Sequence, residues 1–356
     1  MKLNDVVKRI PGWYKAGHSI YLKSPPGRGK TTVLALSSTI LSKALGGNYG
    51  HVIINGPLLT PGDAVGYLIP KHHDNGRVSS VYTEPFWFVT DQGKHITDYD
   101  GGIIIVDEAD KMDTDVKKVI GEAALSGRLG PHRLPKGWVV WMAGNRAQDR
   151  SGSTKELDHL INRRMEVDIQ DDIESWLDWA SNNGMLPLTQ AFAAQNPQIV
   201  FTDGVPDKQG PWCTPRSLAM ADEYIRAVTG NTGDIPEDPL LVEEIAGKIG
   251  TGPATQYFGF VRLEREMPKF EKIIADPTKV KTPEKPDAQM LVVYNLAHRV
   301  DAKTIKPVIT YVERMPKEFA VTFAKAACKR NPELVIDPAM REWSTKNATL
   351  MAALTA

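Results

Sequence analysis

Five short apolar runs mark the first half of the chain. They are Ile20-Tyr21-Leu22-Lys23, His51 to Asn55, Ile103 to Val106, Val139 to Ala143 and Met165 to Ile169. Their length and their β-branched or aromatic content fit buried strands. Helical periodicity lies between them. Val33, Leu36, Ile40 and Leu41 share one face of a helix over 32–45, which Gly46-Gly47 stops in left-handed backbone. Val116, Val119, Ile120 and Ala123 mark a second helix over 115–125. Residues 4–18 predict a helix and turn with Val6, Val7 and Ile10 inside, ended by Pro11-Gly12. Strands alternating with helices predict an α/β fold around a parallel sheet.

Two stretches interrupt that alternation. A short helix over Thr60–Tyr67 leads into 68–85, where Asn75-Gly76 is a strong hairpin signal. A second hairpin is expected over 127–137, carrying Arg128, His132, Arg133 and Lys136. Phe86-Trp87-Phe88 either touch a substrate at an exposed tip or sit partly in the core. The adjacent His72 and His73 are poorly spaced for one metal ion and read as solvated. Beyond residue 170 the pattern turns helical, beginning with Ile173, Trp176, Leu177 and Ala180. Loop-rich stretches fall at 196–215 and 230–239. The run DPTKVKTPEKP at 276–286 reads as a linker or stiff connection. Two or three helices are expected in 287–355, for example over 288–299 and 317–329.

Composition narrows the class. Lys+Arg and Asp+Glu are both 43, so a zero net charge argues against bulk electrostatic binding to nucleic acid or anionic membrane. A local basic element remains compatible with it. Cys213 and Cys328 stand far apart and suggest neither a disulfide framework nor a zinc site, which fits a reducing cytoplasm. No run reaches a membrane span, and residues 1–11 lack the apolar centre of a secretory signal.

The chemistry concentrates at strand ends. Ser24-Pro25-Pro26-Gly27-Arg28-Gly29-Lys30-Thr31 follows the first strand and opens a helix, the context a phosphate-binding loop requires. Gly27 and Gly29 let backbone N–H groups turn toward a phosphate chain. Pro26, Arg28 and Thr32 complete the candidate cradle. Lys30 can reach the β- and γ-phosphates of ATP, and the Thr31 hydroxyl can hold Mg²⁺. Ser24 stands where the usual pattern has glycine. Asp107-Glu108 end the 103–106 strand, where open α/β sheets place their ligands. Asp107 is a second candidate Mg²⁺ ligand, and Glu108 a base for the attacking water. Asp107-Glu108-Ala109-Asp110 also spells the DEAD-box helicase motif, but no further helicase signature follows. Asn145, after Gly144, can sense a γ-phosphate or simply make a turn. Trp13 and Tyr14 either border an adenine or pack.

The order of these parts resembles an AAA+ ATPase over about residues 15–225. Ser24–Thr31, Asp107-Glu108, Asn145, Arg163 and Thr214-Pro215-Arg216-Ser217 look like its Walker A, Walker B, sensor 1, arginine finger and sensor 2. Arg163 and Arg164 compete for the finger. The two hairpins are similar to the helix-2 and pre-sensor-1 insertions of the MoxR and dynein-related branch. The resemblance implies an α/β AAA+ core with a five-stranded parallel sheet at 1–170, a helical lid at 171–275 and a helical C-terminal extension at 276–356. It also implies ATP and Mg²⁺ as cofactors, a homo-oligomeric ring, hexameric in the family, and hairpins facing a central pore. A protein substrate, or a von Willebrand A-type partner, is the first expectation. A nucleic-acid translocase or loader is the second, and a weakly hydrolysing scaffold the third.

Overall fold

In the computed structural model, residues 1–149, 161–231, 234–265 and 267–348 are described. They form two compact units, one of residues 1–172 with 203–205, the other of residues 173–202 with those from 206 onward. The sequence also predicts a helix from Leu157 to Asn162 running into Arg163-Arg164, and it lies mostly outside the described residues.

The first unit is built on a five-stranded parallel sheet. Its strands are β1 (Ile20–Lys23), β2 (Tyr49–Asn55), β5 (Gly101–Asp107), β8 (Trp138–Gly144) and β9 (Met165–Asp168), in the order β2-β5-β8-β1-β9. The remaining strands make two separate hairpins, β3 (Leu68–His72) with β4 (Val78–Tyr82) and β6 (Arg128–Leu129) with β7 (His132–Arg133). β5 shows why the sheet is so apolar. Its side chains alternate between faces. Ile104 and Val106 join Trp87, Phe88, Met112 and Ile120 on one side, and Ile103 and Ile105 join Val6, Ile10, Leu34 and Trp141 on the other. A strand covered on both faces has no polar face to spare.

Two helix expectations need correction. Pro11-Gly12 do not end the first helix, which runs Leu3–Lys15 as α1 with Pro11 inside it. Packing holds the last turn in place. Trp13 meets Trp141 edge-on, and the Tyr14 hydroxyl donates to Gly137 O. Burial pushes the Tyr14 phenol up to about 12, so it stays a neutral donor. Both aromatics therefore pack. The helix over 32–45 is two helices, α2 (Lys30–Ala35) and α3 (Ser37–Leu45), meeting at Leu36. The bend turns Leu36 outward at 50% exposure, and Leu34 fills the core in its place. Trp87 and Phe88 are core, while Phe86 is 65% exposed.

The second unit is helical, with two apolar clusters. One gathers around Phe192, Leu218, Tyr257 and Phe260, the other around Val308, Tyr311, Phe323 and Trp343. The helix Pro286–Arg299 serves both, giving Leu291 and Tyr294 to the first and Val292, Val293 and Leu296 to the second. Residues 286–346 hold four α-helices, more than the two or three anticipated. The proline-rich run before them is fastened down. Arg314 donates to Pro277 O and Val280 O at 2.7 Å each, and the Tyr311 hydroxyl donates to Lys281 O at 3.1 Å. Among the described residues, no helix is long and apolar enough to cross a membrane.

One buried carboxylate organises the first of these clusters. Asp222, fully buried on the helix Pro215–Val228, accepts from Leu186 N (3.0 Å), Thr189 Oγ1 (2.6 Å) and Arg226 Nε (2.8 Å). Removing it strands a buried N–H and a partly buried guanidinium and leaves the Thr189 hydroxyl with Tyr257 alone. Asp222→Ala is expected to destabilise the second unit by about 2–4 kcal/mol, read as a lowered urea midpoint for its helical signal. An unchanged midpoint would refute that account of the network.

Candidate active site

The C-terminal ends of β1, β8 and β5 lie side by side, and each carries a piece of the site. β8 is in the middle, pairing Tyr21 with Met142 on one side and Val106 with Met142 on the other. The loop after β1, the Asn145 turn after β8 and the Asp107-Glu108 pair ending β5 therefore converge, as ligand sites of open α/β sheets do.

The loop turns on two glycines in left-handed backbone, Gly27 (φ 75°) and Gly29 (φ 82°). Gly29 immediately precedes α2, and a Cβ there would have room, 3.5 Å from Leu3. Glycine is needed at this position for its backbone angle, not for space. Lys30 follows and is 7% exposed. Its ammonium donates to Ser24 Oγ (2.9 Å), Ser24 O (3.0 Å), Asn145 Oδ1 (3.2 Å) and Pro25 O (3.3 Å). Ser24 is thus more than a small residue in a glycine position, because its hydroxyl is one of the oxygens that solvate the buried cation. Pro26 and Gly27 are half-buried in the loop, and Thr32 is exposed on α2.

Thr31 Oγ1 donates to Asp107 Oδ2 at 2.8 Å. The two candidate Mg²⁺ ligands are in direct contact, hard oxygen donors on one side of the loop, and they fit an ion that takes one or two protein oxygens plus phosphates and water. Among the described residues no cluster of three or more His, Cys, Asp or Glu is placed to hold a metal. Glu108 is one of two described non-glycine residues with positive φ, at 50°. Such backbone costs of order 1–3 kcal/mol and clusters at functional sites. Its carboxylate lies 3.2 Å from Lys111 Nζ.

Asn145 is held through its backbone. Asp110, 2% exposed, accepts from Asn145 N at 3.0 Å. Gly144 makes the approach possible, since a Cβ there would stand 2.3 Å from the Tyr21 hydroxyl and 2.8 Å from Asp110 Oδ1. Asp110 went unnoticed in the sequence as a site residue, although it is the last letter of the DEAD string.

Arg28 presents a different contact from the one its loop position suggested. Its side chain is 2% exposed and forks onto Asp171, with Nε 2.5 Å from Oδ1 and a terminal nitrogen 3.3 Å from Oδ2. The phosphate loop is thereby tied to the segment after β9. No local signal at 171 marks this partner, because the pair spans 143 residues.

The two arginines before β9 diverge. Arg164 is 5% exposed, lies 4.2 Å over the Tyr21 ring and donates to Glu166 at 2.8 and 3.1 Å. Lys23 joins the same carboxylate at 2.7 Å. Burial alone raises the Glu166 carboxyl, but the bonds from Lys23 and Arg164 outweigh it and hold it below its ordinary range. Arg163 is exposed. Arg216 belongs to the second unit, exposed in the first turn of the helix that Thr214 and Ser217 cap reciprocally.

The hairpins form one connected surface of the first unit. The His132 ring donates to Thr83 O at 3.0 Å. Thr83 N donates to Tyr67 O at 2.9 Å, and Tyr67 N to Thr83 Oγ1 at 2.9 Å. Gly66 has φ 89°, and a Cβ would stand 1.8 Å from Thr83 O. On this base Tyr67, Leu68, Ile69, Val78 and Tyr82 are exposed, as are Arg128, Arg133 and Lys136.

The glycine-rich loop, the acidic pair and Asn145 thus stand at three adjoining ends of a five-stranded parallel sheet, the fold expected of an AAA+ P-loop NTPase core. No protein-family model matches the chain, and no curated protein matches it. Among solved structures it is similar to a point variant of RuvB from Thermotoga maritima, with 14% identity, 87% of each chain covered and a TM-score of 0.40. It is also similar to the T. maritima RuvB Holliday junction branch migration motor (12%, 88% of this chain, 86% of that one, TM-score 0.33) and to NtrX from Brucella abortus in complex with ADP (14%, 98% and 68%, TM-score 0.37). Scores this low add no argument to the geometry.

Gly144→Ala tests the close approach. The methyl group must displace Tyr21 or Asp110, with an expected loss of about 1–3 kcal/mol and weaker nucleotide binding by equilibrium fluorescence. Full stability with unchanged binding would show that Gly144 is not required there.

Proposed function

We propose that this chain is an ATP-hydrolysing AAA+ motor that remodels a protein partner, working as a ring or spiral of identical subunits. The contact of Thr31 with Asp107 beside the Lys30–Asn145 pair carries the reading, because it joins the phosphate-loop, acidic and sensor residues in one place. Lys30 exchanges loop oxygens for the β- and γ-phosphates. Thr31 and Asp107 would hold a Mg²⁺ ion, which would supply charge neutralisation at those phosphates. Asn145 and Glu108 orient the water, and Glu108 takes its proton as the γ-phosphoryl group departs. Arg163 supplies positive charge to a neighbour's nucleotide, and Arg216 is the sensor-2 arginine of the same reading. The exposure of Arg163 and the engagement of Arg164 with Glu166 and Tyr21 support that choice. The family's hexamer and a von Willebrand A-type partner are the assembly this reading favours.

Lys30→Ala is expected to abolish productive ATP binding. Glu108→Gln keeps the Mg²⁺ ligands, so nucleotide binding persists while turnover stops. Equal turnover in Glu108→Gln and the unaltered protein would remove Glu108 as the base.

Arg163→Ala is expected to slow hydrolysis by roughly 10³–10⁵, with far less effect on nucleotide affinity. Mixing it with Lys30→Ala subunits should recover activity at mixed interfaces. Arg164→Ala should instead loosen β9 and cost about 1–3 kcal/mol of stability. A catalytic loss confined to Arg164→Ala would reverse the assignment.

The exposed cations Arg128, Arg133 and Lys136 favour a second reading, nucleic-acid translocation. If they contact phosphates, replacing all three with Ala should flatten the salt slope of duplex binding by about 0.9 per lost contact. Tight, salt-sensitive, DNA-stimulated behaviour that depends on them would put this reading first.

A further inference from the structure

The β3–β4 hairpin is a two-stranded sheet, and its two outer edges differ. Thr83 N donates to Tyr67 O at one end, and His73 N to Arg77 O at the other, both at 2.9 Å. Between them Leu68 faces Tyr82, Ile69 faces Val81, Pro70 faces Ser80, Lys71 faces Ser79 and His72 faces Val78. Hydrogen-bonded and non-bonded pairs alternate along an antiparallel ladder. The 69/81 and 71/79 pairs therefore use their N–H and C=O groups inside the hairpin. Residues 68, 70 and 72 turn theirs outward on β3, and 78, 80 and 82 do so on β4.

The middle outward position of β3 is Pro70, which has no N–H. Proline at such a position is a common guard on a sheet edge. The middle outward position of β4 is Ser80, which has one. β4 thus offers an uninterrupted row of donors and acceptors at Val78, Ser80 and Tyr82, and its side chains are exposed, Val78 by 59% and Tyr82 by 43%. The edge stands on a fixed base, since Gly66, Thr83 and His132 lock the hairpin to its neighbour.

We infer that the outer edge of β4 takes an extended segment of a protein partner as a third strand, aligned along Val78, Ser80 and Tyr82. This deepens the protein-remodelling reading and rests on it. The occupant is a polypeptide because the edge presents donors and acceptors at strand spacing, which only another backbone matches along its length. Alternate apolar side chains on the segment would lie against Val78 and Tyr82, on the face they share with Leu68. A second copy of β4 is a poor occupant. A contact between two five-residue strands falls well short of the roughly 1,000 Å² of a stable interface. The same small size makes the grip on a partner weak and releasable, which suits repeated engagement.

The test uses the full chain and a fluorescent synthetic peptide of alternating Val and Thr with lysines at its ends. Binding is read by anisotropy, and backbone amide exchange by NMR. The peptide is expected to slow exchange at Val78, Ser80 and Tyr82, while the amides of Ser79 and Val81 are already slow. Ser80→Pro removes one outward N–H and leaves the β3–β4 bonds intact, so basal ATP turnover should be unchanged and peptide affinity should fall about tenfold. Pro70→Thr, which restores an N–H on the other edge, should not weaken binding. Equal affinity in Ser80→Pro, or no exchange protection at 78, 80 and 82, overturns the proposal. Protection that grows with protein concentration in the absence of peptide also overturns it, because the edge would then pair with itself. Exchange is measured without ATP, so failure of edge pairing is distinguishable from failure of the motor reading, which Glu108→Gln tests separately.

Discussion

A buried cation sets the terms for the first unit. An ammonium at 7% exposure must be surrounded by oxygens or lose its charge. Lys30 meets this need with two carbonyls and a hydroxyl of its own loop and with the Asn145 amide. That requirement accounts for the curl of the loop and for the hydroxyl at Ser24, while the β1–β8 ladder brings Asn145 within reach. Asn145 can answer it only because Asp110 holds its backbone and Gly144 lets the carboxylate close in. Asp110 and Gly144 are both buried behind the half-buried Asn145, so close-packed neighbours hold its backbone in place.

What the sequence made legible follows from range. Strands covered on both faces are unbroken apolar runs, and β5 and β8 were evident for that reason. The phosphate loop and the acidic pair were equally plain, since their chemistry needs particular residues at fixed spacing. The less legible features depend on distant partners. Leu36 fits the helical period yet points outward, because the backbone bends between α2 and α3. Pro11 looked like a stop, but the packing of Trp13 and Tyr14 carries α1 past it. The run from 276 to 286 reads as a linker by its prolines, and the bonds from Arg314, Tyr311 and Gln289 show that it is pinned.

Charge tells the same story inside the site. Arg28, Arg163 and Arg164 are equivalent in composition and close to motifs, yet they have three environments. Arg28 is spent on Asp171 and Arg164 on Glu166 and Tyr21, while Arg163 meets solvent. A buried guanidinium forked onto a carboxylate braces the structure, and moving it elsewhere would leave Asp171 without its arginine and Glu166 with Lys23 alone. Of the three, Arg163 can leave its position at least cost.

Each hairpin is followed in the chain by a strand that carries a residue of the candidate site at its other end. β8 begins at Trp138, whose indole donates to Ile96 O at 2.9 Å, and ends at Gly144 beside Asn145. Seven residues of strand span about 20–24 Å. The β6–β7 hairpin enters this strand at its far end, and His132 binds it to the base of the β3–β4 hairpin. The connection containing the β3–β4 hairpin in turn leads into β5, which ends at Asp107. The strands that present Asn145 and Asp107 are therefore the two that follow the hairpins in the chain. A strand buried between neighbours transmits displacement with little loss, because close-packed interiors are poorly compressible. β5 and β8 are hydrogen-bonded to each other over 102–106 and 138–142, so their hairpin ends and their Asp107 and Asn145 ends are held in one register.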